Sequence, residues 1–143
     1  MPPQTPSIRV PNERMAQIKL IAEKRSMSYA ELIGYWIERE IEDGTIPREV
    51  PGVTVRREAD QIIVEMGAIS RSIRRDVVAS FADNIRGVAG LARETAEALG
   101  GLQVRKRGRG IKITDIESGA ELATSPSVAR DIAALLDKAA EGK

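Results

Sequence analysis

Polar and apolar residues alternate over Ser7-Ile8-Arg9-Val10, and a period of two predicts a short, half-buried strand. Pro11-Asn12 ends it. Met15, Ile18, Ile21 and Ala22 then recur at spacings of three and four, which predicts a helix over roughly 13–25 with Asn12 as its cap. Ser26-Met27 breaks that helix, and Ser28-Tyr29-Ala30-Glu31 has the capping-box form that opens another, hydroxyl and carboxylate each satisfying a free backbone N–H. Leu32, Ile33, Trp36, Ile37 and Ile41 form a strong apolar stripe behind the box, and Asp43-Gly44 stops the helix.

Residues 45–52, with two prolines and a glycine, read as a linker. Beyond it the pattern predicts strands at 53–57 and 61–66, then a helix over roughly 70–98 carrying Ile73, Val77, Phe81, Ile85 and Val88 on one side. A hairpin follows, 102–107 with 111–116, joined through Gly108-Arg109-Gly110; residues 120–124 offer a third strand. Ser125-Pro126 is a cap followed by proline at the first helical position, and the last helix runs to about residue 140. No internal repeat stands out. The expected organisation is α+β: a flexible arm at 1–6, a small unit at 7–44, the linker, and a β-β-α-β-β-α domain at 53–143.

Composition narrows the chemistry. The 143 residues contain neither Cys nor His, which removes disulfides, Cys or His zinc sites and imidazole-based hydrolytic triads. Asp76, Asp83, Asp115 and Glu117 show no metal-ligand spacing, and Gly108-Arg109-Gly110 lacks the length and the Lys-Ser/Thr ending of a phosphate loop. No catalytic residues, metal or cofactor are expected, and we read the chain as a non-enzyme. No apolar run reaches the roughly 18 residues that span a bilayer. The first residues lack the pattern of a secretory signal, so a cytoplasmic protein without membrane contact is expected. The net charge of +1 identifies no partner by itself. With 42% hydrophobic residues but one Trp, one Phe and two Tyr, the core must be mostly aliphatic.

The succession Ser7-Ile-Arg-Val-Pro-Asn-Glu-Arg-Met15, then Ile18, Ile21, Ala22, then Ser28-Tyr-Ala-Glu-Leu-Ile33 and Trp36-Ile37 resembles the ribbon-helix-helix family of DNA-binding repressors of the Arc/MetJ type. The resemblance covers about a quarter of the chain. It implies an intertwined homodimer, with Ile8, Val10, Ile18, Ile21, Leu32, Ile33, Trp36 and Ile37 in the dimer core. Two copies of the strand would pair into a ribbon that enters the major groove of double-stranded DNA, with Ser7, Arg9 and Thr5 facing base edges. Arg suits guanine O6 and N7, and a good bidentate contact is worth about 1–3 kcal/mol of discrimination. Ser28, Tyr29 and Ala30 would hold backbone phosphate at the positive end of the second helix. Pro6 stands where the family has an apolar residue, and without an N–H it moves the start of pairing to Ser7.

The second half matches no family by its motifs. Arg105, Lys106, Arg107, Arg109 and Lys112 are the densest positive charge in the chain, with Arg71, Arg74 and Arg75 a smaller cluster. The hairpin charge reads either as a second nucleic-acid contact or as protection of a sheet edge against unwanted pairing. The function expected is that of a bacterial transcriptional repressor or autoregulator, assembling further on tandem sites, with 53–143 sensing, binding a protein partner or extending the oligomer. Three other functions use the same features: an antitoxin, a plasmid transfer or partition factor, and a dimeric scaffold that binds no DNA.

Overall fold

The computed structural model describes residues 7–90 and 95–141. It opens with two helices, α1 (Asn12–Arg25) and α2 (Tyr29–Glu42). Then come β1 (Val53–Glu58), β2 (Gln61–Met66), β3 (Ile69–Arg74), α3 (Arg75–Gly90), β4 (Thr95–Leu99), β5 (Leu102–Arg107), β6 (Gly110–Asp115), β7 (Glu121–Thr124) and α4 (Pro126–Glu141). All strand pairs are antiparallel, in a three-stranded sheet ordered β1-β2-β3 and a four-stranded sheet ordered β4-β5-β6-β7.

Two expectations are corrected. The N-terminal unit is helix-first: residues 7–10 form no strand and are exposed, Ile8 at 85%. A strand of four residues needs a neighbour to satisfy its backbone, and none of the described residues supplies one. The second unit is β-β-β-α-β-β-β-β-α rather than β-β-α-β-β-α. Its missed strands are β3 and β4, which overlap the two ends of the stretch expected to be helical over 70–98. In β3 the buried Ile69 and Ile73 alternate with exposed Ser70, Ser72 and Arg74, and a spacing of four fits a strand as well as a helix. In β4 the segment Thr-Ala-Glu-Ala-Leu favours helix locally, but pairing with β5 overrides that preference. The helix between them is α3, described over Arg75–Gly90.

The second unit also contains a repeat that is not evident along the chain. β1 and β2, six residues each, are joined by the two-residue turn Ala59-Asp60; β5 and β6, six residues each, by Gly108-Arg109. The first turn residue has positive φ in both, 53° at Ala59 and 58° at Gly108, as a two-residue hairpin demands. Both hairpins add one more antiparallel strand, β3 or β7, and then a helix of 16 residues, α3 or α4. Val53-Thr-Val-Arg-Arg thus falls opposite Leu102-Gln-Val-Arg-Lys, and β2 and β6 alternate buried and less buried positions in step.

The helices α3 and α4 pack along each other and against strands of both sheets. Ile62, Val64, Met66, Phe81, Ile85, Leu102, Ile113, Ile132 and Leu136 join one aliphatic core around a single phenylalanine. Arg86 of α3 pairs with Asp137 of α4 at 2.7 Å, which ties the repeats on the helix side. Arg71 of β3 ties them on the sheet side. It donates to the Gly100 carbonyl at 2.8 Å and meets Asp115 at 3.1 Å and Glu117 at 3.3 Å. Gly101 is required beside it, because a Cβ there would lie 2.0 Å from the guanidinium and its φ is +82°.

Burial alone would push the Asp115 carboxyl up. The N–H groups of Ser118 and Glu117 and the charge of Arg71 outweigh that and hold it below the usual aspartate value. A depressed folded pKa contributes stability that is present above the unfolded value and lost as pH falls through the folded one. Asp115→Asn is therefore expected to melt lower than wild type at neutral pH, but to lose less on acidification from about pH 4 to about pH 2. Parallel melting-temperature curves over that range would show that Asp115 carries no such linkage.

Candidate nucleic-acid interface

The N-terminal helices are held together by very little. Ala22 and Leu32 are their only buried residues, and Arg25 lies over the Tyr35 ring with 4.7 Å to its centroid. α1 starts after Pro11, whose carbonyl accepts from Met15 N–H, so Asn12 is the first helical residue and not the cap. It ends at Ser26 in the left-handed conformation. Of the exposed large hydrophobic side chains among the described residues, all but Ile116 lie between Ile8 and Ile46. Val10, Met15, Leu20, Ile21, Tyr29, Ile33, Trp36 and Ile37 are among them, and Ile18 is half-buried. Leu32, one of the expected dimer-core residues, is already fully buried within the single chain. The other seven are not.

The start of α2 is as the sequence predicts. Ser28 Oγ accepts from Glu31 N–H at 3.2 Å, and the Glu31 carboxylate accepts from Ser28 N–H at 3.4 Å. The box leaves the N–H groups of Tyr29 and Ala30 at the open end of the helix. Ser28 and Tyr29 line a recess of about 390 Å³ together with Lys19 and Glu23 of α1 and Arg109 from the turn of the β5–β6 hairpin. Residues expected to hold phosphate in one half of the chain and an arginine from the other therefore face the same space. Ser7 and Arg9 are exposed just ahead of α1; Thr5 lies outside the described residues.

The five basic hairpin residues do not act alike. Lys106 donates to the Ala89 carbonyl at the end of α3, and Lys112 pairs with Glu121 of β7 at 3.4 Å. Arg105, Arg107 and Arg109 are exposed and form no ion pair with any described residue. The smaller basic cluster is structural: besides the Arg71 bracket, Arg74 pairs with Asp76 at 2.7 Å, and Arg75 Nε donates to the Ala140 carbonyl at 2.6 Å.

Sequence pattern does not reveal how the helix pair meets the second unit. α2 comes so close to the start of α4 that a Cβ on Gly34 would lie 2.3 Å from Ser127 Oγ. Arg48, in the segment expected to be only a linker, joins Glu38 of α2 to Asp131 of α4, the latter at 3.2 Å. Its hydrogen bonds hold the Glu38 carboxyl below the usual range, whereas burial and the nearby Glu38 push Asp131 up. Beside this clasp runs an open cleft of about 1410 Å³, with Ile33, Ile37 and Ile41 on one wall and Val53, Val128 and Leu135 on the other. A linker arginine carries no sequence signal for such a role, since periodicity says nothing about a residue outside helix and strand.

Among the described residues no cluster of acidic side chains could hold a metal ion, and no helix is long and apolar enough to cross a membrane. Compared with known proteins, the chain matches no family model, no curated protein and no solved structure.

Proposed function

We propose that the chain is a dimeric, sequence-specific DNA-binding regulator that touches base edges with Ser7 and Arg9 and backbone phosphate with the start of α2. The observation that carries this reading is the confinement of uncovered apolar side chains almost wholly to residues 8–46. A helix pair with two buried residues cannot be stable on that core, and an exposed apolar surface of this extent marks an interface. A second copy of the same unit supplies the missing cover. Ser7 and Arg9, exposed just ahead of α1, are the side chains that reach base edges in the major groove.

Enrichment of random duplexes by the full-length chain tests this. The expected product is a short motif repeated with two-fold or tandem symmetry, as two identical reading heads require. Recovery of unenriched sequence, at a salt concentration where the protein still binds duplex DNA, would contradict sequence-specific binding.

A further inference from the structure

The hairpin charge is not edge protection. Edge strands carry Lys and Arg to blunt unwanted pairing, but the strand order β4-β5-β6-β7 places β5 and β6 in the middle of their sheet. Both are paired on both sides. Arg105 moreover lies directly opposite Lys112, a like-charge pair that weakens a ladder rather than supporting it.

The repeat provides an internal control. In the first hairpin the tip residues Glu58 and Asp60 are acidic, and Arg56 pairs with Glu58 and Glu65, each at 3.3 Å. At the matching places of the second hairpin stand Arg107, Arg109 and Thr114, and no acidic residue occurs from Leu102 to Thr114. The same backbone is thus charge-balanced in one copy and left positive in the other. That positive tip lies against the α1–α2 corner, where Arg109 shares a recess with Lys19, Ser28 and Tyr29. Glu23 is the one acidic group lining it among the described residues.

We infer that the tip of the β5–β6 hairpin is a second DNA-backbone contact, in which Arg107 and Arg109 extend the phosphate-binding surface of α2 onto the second unit. This rests on the DNA-binding reading above and adds to it that both halves of the chain grip one duplex. The contacts are to phosphate, so they add affinity and salt dependence but no sequence preference.

The test compares full-length wild type, Arg107→Ala/Arg109→Ala and, as control, Arg56→Ala on one enriched duplex and on its shuffled counterpart across a salt titration. The side chains replaced are exposed, and unchanged melting curves confirm that the variants fold. In the double variant the slope of log affinity against log salt is expected to shrink by about one for each phosphate no longer neutralised, up to about four for a dimer. Both duplexes should weaken by the same factor, and Arg56→Ala should keep the wild-type slope. A wild-type slope in the double variant, with binding retained, overturns the hairpin contact alone. Failure of wild type to bind any duplex at low salt overturns the DNA reading with it. Weakened binding to polyglutamate but not to DNA in the double variant also overturns the hairpin contact, in favour of an acidic protein partner.

Discussion

Arg9→Ala is expected to abolish discrimination between the target and unrelated DNA while leaving a folded dimer. Arg9 is exposed and has no ion-pair partner among the described residues, so its removal costs the fold nothing identifiable. It is also the only basic residue in 7–10, and its bidentate fork is well suited to reading guanine. Removing one such fork costs about 1–3 kcal/mol, and a dimer carries two, so a preference for the target falls by roughly 30-fold to 20,000-fold. Competition between target and unrelated duplex measures it. Phosphate contacts survive the substitution, so weak, salt-sensitive, unselective binding should remain. Full selectivity in the variant would mean that residues 7–10 do not read the sequence.

Phe81→Ala is expected to have the largest effect on stability. Phe81 is fully buried on α3 and is the only phenylalanine in a core otherwise built of aliphatic side chains. Truncation removes the ring's transfer energy and leaves a hole that the surrounding side chains cannot fully close, at a cost of about 3–5 kcal/mol. Domains of this size are stable by only about 5–15 kcal/mol, so the second unit approaches the point of unfolding. Urea unfolding followed by the helix signal would show it as a lower midpoint with an unchanged slope. A destabilisation below about 1 kcal/mol would mean that the two repeats do not close around that ring as described.

Legibility along the chain follows the physics of each element. Helices with a one-sided stripe and a local cap are plain: the Ser28 box, the Ser125-Pro126 start of α4 and the stop at Asp43-Gly44 all stand where local pattern puts them. β3 is hidden because Ile69 and Ile73, four apart, satisfy a helix's period too. β4 is hidden because its residues prefer helix until β5 pairs with them. The repeat is hidden because the two hairpins share backbone geometry and burial rhythm but not charge, and tip residues reverse from acidic to basic. Residues 7–10 show the converse. Their alternation is that of a strand, but a strand requires a partner to satisfy its backbone, and local sequence does not show that none of the described residues provides one. At the interface, the cap at Ser28 and the exposed Arg9 can be named from pattern alone. The approach of Arg109 to Ser28 depends on how the hairpin and the helix pair fold onto each other, as does the clasp at Arg48.

The most direct measurement is the mass of the complex, by sedimentation equilibrium, on an enriched duplex and on a shuffled duplex of the same length at the same protein concentration. Two chains, or a multiple of two, on the enriched duplex and far lower loading of the shuffled one is the result expected of a dimer that reads sequence. A single chain per duplex, or equal loading of both duplexes, would contradict it.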